Sequence, residues 1–89
     1  MTVTLQPDQV RQLVARVLQE YGVAADEIAD LRESIRIDEG RLVARTYRAG
    51  GLMAMWLYVV GLLQFYDSDG NMLRTVNLFE ELTAVRAAA

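Results

Sequence analysis

Fifteen residues, Leu52 to Tyr66 (LMAMWLYVVGLLQFY), carry a single strongly polar side chain, Gln64, and no other stretch constrains the fold as tightly. The run falls short of the ~20 apolar residues that a helix needs to cross a bilayer. It is also too apolar for a strand with one side in water, which alternates apolar and polar positions. Whatever this segment forms, both of its sides need cover.

The rest of the chain offers limited cover. Pro7 to Tyr21 reads as an amphipathic helix, because Val10, Leu13, Val14, Val17, Leu18 and Tyr21 recur at helical period along one stripe. Pro7 suits the first helical position, Asp8 favours the helix dipole, and Gly22 stops the helix. Ala24 to Glu33 is consistent with a short second helix, with Ile28 and Leu31 on one side and Asp26 and Glu27 near its start. At the other end, Leu78 to Arg86 reads as a C-terminal helix. Asn77 is its N-cap, Glu80 stands three residues on, and Leu78, Leu82 and Val85 form a narrow apolar side. Ala87 to Ala89 is expected to fray.

Between the helices lie strands. Ser34 to Arg48 reads as a hairpin turning at Glu39-Gly40. An unbroken register pairs Asp38 with Arg41, Ile37 with Leu42, Arg36 with Val43 and Ile35 with Ala44. It gathers Ile35, Ile37, Leu42, Ala44 and Thr46 on one face. Ser34, Arg36, Asp38, Arg41, Val43, Arg45 and Tyr47 fall on the other. Gly50-Gly51 marks a break, followed by a loop or a short helical turn to about Ala54. Trp56 to Tyr66 reads as one strand, rich in β-branched and aromatic residues. Asp67-Ser68-Asp69-Gly70 is the next turn, and Asn71 to Asn77 the last strand. Tyr66 then lies opposite Met72, and Gln64 opposite Arg74. The sum is a single domain over residues 1–89 with an α+β fold: an N-terminal amphipathic helix, with a short second helix, packed on a four-stranded antiparallel meander that ends in a short C-terminal helix.

Strand alternation makes the opening run a question of interfaces. Leu57, Val59, Leu63, Phe65 and Leu73 share one side and are expected to meet the first helix. Trp56, Tyr58, Val60, Leu62, Tyr66, Met72 and Val76 share the other, which the C-terminal helix is long enough to cover only in part; the alternative is that this helix and the Gly50–Met55 loop fold over it within one chain. A contiguous apolar patch of several hundred Å² is uncommon on a monomer and marks interaction surfaces. The expectation is an interaction or assembly module that forms a homodimer through those seven residues. Trp56 with Met53 and Met55 fits such a core or interface, and less well a small pocket.

Composition narrows the chemistry. The chain has no histidine and no cysteine, and its nine basic residues are all arginine. It therefore lacks the commonest general acid–base group, any side-chain amine for Schiff bases, and any disulfide or thiolate metal site. A non-enzymatic role is expected, without cofactor or metal, and a carboxylate- or tyrosine-based hydrolase or isomerase ranks last. The second reading is a small-ligand, anion or nucleotide site built from Arg36, Arg41, Arg45 and Tyr47, since guanidinium forks beside an aromatic suit phosphates. Asp38 and Glu39 nearby favour a charge-paired face instead. The net charge of −3 speaks against nucleic acid. Asp67 to Asn71 (DSDGN) resembles part of a calcium loop but lacks its later ligands and flanking helices, so a hairpin turn is expected. Asp26, Glu27, Asp30 and Glu33 read as an exposed acidic helix face. Met1 to Leu5 has no basic segment of the signal-peptide kind, and the absence of cysteine suits a soluble, cytoplasmic protein.

Overall fold

A computed structural model describes residues 5–82 of the chain. Helix α1 (Pro7–Glu20) leads into the short α2 (Ala25–Ala29). Strands β1 (Arg32–Asp38), β2 (Arg41–Ala49), β3 (Leu52–Leu57), β4 (Leu62–Tyr66) and β5 (Met72–Asn77) follow. Residues 78–82 are helical. The strands form one antiparallel sheet in the order β1-β2-β3-β4-β5, so the fold is α+β and the sheet a simple meander. Every connection is short, as antiparallel neighbours allow.

The first helix forms where its periodicity places it. Val10, Leu13, Val14, Val17 and Leu18 are buried along one stripe, with Pro7 at the start and Asp8 in the first turn. At its end, Val23 N–H bonds to Leu18 O and Gly22 N–H to Gln19 O, the paired bonds of a Schellman cap. The cap turns the chain early enough that Tyr21, counted in the stripe from sequence, is exposed. Helix α2 is shorter than its expected range because Arg32 and Glu33 join β1.

The sheet has five strands rather than the expected four, because the long apolar run is a hairpin and not one strand. Leu57 pairs with Leu62, and Gly61 N–H closes the turn on Leu57 O at 3.0 Å. Gly61 sits at φ +65°, a left-handed conformation that glycine adopts without the steric cost of a side chain. Val59, at the tip, is 88% exposed. The turn resets the alternation. Trp56 lies opposite Leu63 and Ala54 opposite Phe65, so Trp56 shares a face with the residues from which an unbroken strand would separate it.

A bulge makes a similar correction in the first hairpin. Glu39-Gly40 is a two-residue turn as expected, and Asp38–Arg41 and Ile37–Leu42 pair as expected. Val43 is then skipped, so Arg36 meets Ala44 and Ile35 meets Arg45. Gly50-Gly51 is a second tight hairpin turn that pairs Ala49 with Leu52, and β3 begins there rather than after Ala54. In the last hairpin Tyr66 pairs with Met72 as expected. Leu73 is bulged, and Gln64 meets Thr75 instead of Arg74.

One face of the sheet is the core. Tyr47, Ala54, Trp56, Leu63, Phe65 and Val76 pack there against the α1 stripe, Val23, Leu31 and Leu78. Ion pairs pin α1 to both edges of the sheet, Arg11 to Glu33 on β1 and Arg74 on β5 to Glu20 at 2.8 Å. The C-terminal helix lies on this same side. Leu78 is fully buried in the core, and Glu81 reaches Arg16 of α1 at 3.2 Å. Asn77 Oδ1 accepts from Glu80 N–H at 3.2 Å, the expected cap. The remainder of the helix expected to Arg86 lies outside the described residues.

Candidate functional site

Helix α1 and residues 78–82 sit on one side and α2 lies at the β2–β3 turn end, where Glu27 meets Gly50, so the other side of the sheet is the open surface among the described residues. Cross-strand register and strand alternation order it into three rows. The first runs Arg32, Arg48, Met53, Tyr66, Met72; the second Ser34, Thr46, Met55, Gln64, Thr75; the third Arg36, Ala44, Leu57, Leu62, Asn77. Contacts along the strands agree: Tyr66 Oη donates to Gln64 Oε1 at 2.8 Å, Ser34 and Thr46 hydroxyls bond each other, and Thr75 Oγ1 lies 3.2 Å from Met72 Sδ. The β1–β2 side is therefore polar and basic. The β3–β4 side is apolar, with Met53, Met55, Leu57, Leu62 and Tyr66 half-buried by one another and Met72 exposed beyond them.

The expected interface set does not survive as one surface. Trp56 and Val76 are 2% and 8% exposed, in the core beneath α1. Tyr58 packs on the core edge, its ring 4.2 Å from that of Trp56. Val60 is exposed in the β3–β4 turn. Leu62, Tyr66 and Met72 remain on the open face, where Met53, Met55 and Leu57 join them. Those three were not in the expected set because the phase of β3 depends on Gly61 being a turn.

The expected arginine–tyrosine site is divided in the same way. The bulge at Val43 leaves Arg36 and Arg41 on the open face and turns Arg45 and Tyr47 to the covered face. Arg45 pairs there with Glu33 at 3.7 Å, and Tyr47 is fully buried. Burial, chiefly, and the nearby Glu33 carboxylate push the Tyr47 hydroxyl up to about 12, against the pull of Arg45. Tyr47 Oη, Tyr58 Oη, Trp56 Nε1 and Arg45 Nε are buried without a hydrogen-bond partner among the described residues. They form a polar seam inside the core rather than a surface site.

The acidic candidates also separate. Glu33 belongs to β1 and serves Arg11 and Arg45, whereas Glu27 and Asp30 stay with α2. The Asp67–Asn71 segment is the hairpin turn expected of it. Asp67 Oδ1 accepts from the N–H groups of Asn71 at 2.9 Å and Asp69 at 3.0 Å, and Oδ2 from Asn71 Nδ2 at 3.2 Å. These bonds, the Asn71 N–H first, hold its carboxyl below the usual range.

A hollow of about 830 Å³ opens at the first-row end of the open face. Arg32 and Arg48 stand on one side, Met53 and Met55 lie between, and Tyr66 with the Asp67–Gly70 turn stands on the other. Glu27 and Asp30 mark its rim. No helix among the described residues is long and apolar enough to cross a membrane. Compared with known protein families, curated protein sequences and solved structures, the chain matches none.

Proposed function

We propose that the protein is a small, non-enzymatic assembly module that pairs its open sheet face with that of a second copy. One observation carries this reading: α1 and residues 78–82 lie on the other side and α2 at the end of the sheet, while Met53, Met55, Leu57, Leu62, Tyr66 and Met72 form a continuous apolar field with no described layer over it. Burying what remains exposed of these side chains on both copies yields on the order of 8–12 kcal/mol before ordering costs, comparable with the ~4–15 kcal/mol that association costs. A twofold operator is the simplest way to satisfy a patch that complements itself. Facing sheets pack about 10 Å apart with interdigitated side chains, and flexible methionines suit such a seam.

The catalytic reading has less support, because histidine, lysine and cysteine are missing and both expected polar clusters are dismantled by the register. Light scattering on the eluting protein at micromolar concentration tests the pairing. The expected species has twice the 10.0 kDa mass of the chain, and a clean monomer defeats the reading.

A further inference from the structure

Arg32 and Arg48 are directly opposed across β1 and β2 on the open face, and both are exposed. Like charges at opposed positions destabilise a strand pair unless something lies between them to compensate. Four arginines hold glutamate: Arg11 and Arg45 hold Glu33, Arg16 holds Glu81 and Arg74 holds Glu20, whereas Arg36 and Arg41 on the open face hold none among the described residues. Arg32 and Arg48 hold no carboxylate within 4.0 Å among the described residues. The nearby acids are otherwise placed. Glu27 Oε2 lies against Gly50, and Asp67 is bound into its own turn. Asp30 stands on the rim with Glu27.

Arg32 and Arg48 line the hollow together with Met53, Met55 and Tyr66, and Glu27, Asp30 and Asp67 line it as well. Its volume, about 830 Å³, falls within the ~300–1,000 Å³ of small-molecule sites. Two guanidinium side chains from opposed positions lining one hollow suit a carboxylate or phosphate, and the methionines beside them suit an apolar body attached to it. The geometry points to a binding site for a soluble amphipathic anion, its head between Arg32 and Arg48 and its apolar part along Met53, Met55 and Tyr66. The site takes Arg32, Arg48, Met53 and Tyr66 of the first row and Met55 of the second, and it shares the three uncharged residues with the pairing proposed for this face, so a bound anion and a second copy compete for them.

Titration calorimetry with octyl phosphate below its micellar concentration tests the site, with inorganic phosphate and octanol as the two half-ligands. The mass of the protein is measured in the same buffer, so that failure of pairing and failure of binding are read separately. Octyl phosphate is expected to bind at least about tenfold more tightly than either half-ligand, since head and body each contribute, and to weaken as salt rises. R32Q/R48Q is expected to lower octyl phosphate affinity about tenfold or more while leaving octanol binding unchanged and the melting temperature equal or higher, because it removes the opposed like charges. E27Q/D30N is expected to raise it. Octyl phosphate binding no tighter than octanol, or within about twofold of wild type in R32Q/R48Q, overturns the proposal. So does binding to phosphatidic-acid vesicles without binding of monomeric octyl phosphate, which makes the arginines a membrane contact instead.

Discussion

Trp56 lies directly across from Leu63, under α1, and that single pairing sets which side of the sheet is core. Both residues are almost completely buried, with the α1 stripe above them. Trp56→Ala removes the largest side chain of the core and is expected to cost about 3–5 kcal/mol in denaturant unfolding. A loss below about 1 kcal/mol, typical of a surface site, would place Trp56 outside the core.

The pairing depends on Gly61. An alanine there adopts a left-handed backbone, and its Cβ overlaps the Phe79 ring of the C-terminal helix. Gly61→Ala is expected to destabilise by about 2–4 kcal/mol, combining strain and overpacking. Phe79→Ala in the same chain relieves the overlap but not the strain. The double variant should therefore recover only part of the loss, and additive losses in a double-mutant cycle would separate the two residues.

Local signals carried the elements well and the faces poorly. The α1 stripe, the Glu39-Gly40 turn, the Asp67–Gly70 turn and the Asn77 cap each depend on a few adjacent residues, and each is where the sequence places it. Which side a strand residue faces depends on every skipped or turning residue before it. Val43, Leu73 and Gly61 each change the phase, and the two β-branched or aliphatic residues among them give no local sign of a bulge. Gly61 did give a sign: it is the one glycine inside the apolar run, and glycine within a strand pattern marks a turn or bulge. Gly50-Gly51 as a tight turn, rather than a break, is what brings Arg48 beside Met53 and assembles the arginine end of the open face.

Tyr47 makes the fold sensitive to alkali. Its hydroxyl is held neutral up to about 12 against an ordinary 10.0, mainly by burial. The folded pKa is raised, so its contribution is complete below pH 10 and is lost as pH climbs from about 10 to 12. The loss from this one group is about 2–3 kcal/mol across that window. Tyr47→Phe removes a buried hydroxyl that has no hydrogen-bond partner among the described residues, so at pH 7 it should be neutral or slightly stabilising. Unfolding curves at pH 8 and pH 11 should converge in the variant and differ in the wild type.

Asp67 acts at the other end of the scale. Its carboxylate is lowered by the N–H groups of its own turn, so its contribution is present above its ordinary pKa and disappears as pH falls through the lower folded value. Asp67→Ala deletes three hydrogen bonds that close the β4–β5 hairpin. The variant is expected to be less stable at pH 7 and to lose less on acidification than the wild type. Equal acid sensitivity in both chains would mean that the turn bonds do not couple to its ionisation.

Leu62 and Leu63 are neighbours in sequence on opposite sides of the sheet, which makes them a direct contrast for the two layers. Leu63 is fully buried beneath α1, and a carboxylate there is an unpaired buried charge. Leu63→Glu is expected to unfold the protein, with loss of cooperative melting. Leu62 lies in the third row of the open face, opposite Leu57 and beside Asn77, where water can reach a carboxylate in the isolated chain. Leu62→Glu should keep a cooperative transition. Under the pairing proposed for this face, it places a charge inside the seam of each copy and drives the protein to monomer at concentrations where the wild type is dimeric. Light scattering and thermal melts on both variants decide the matter together. A dimeric, folded Leu62→Glu protein excludes this face as the contact between copies, and a folded Leu63→Glu protein excludes the register that puts Leu63 and Trp56 under the helix.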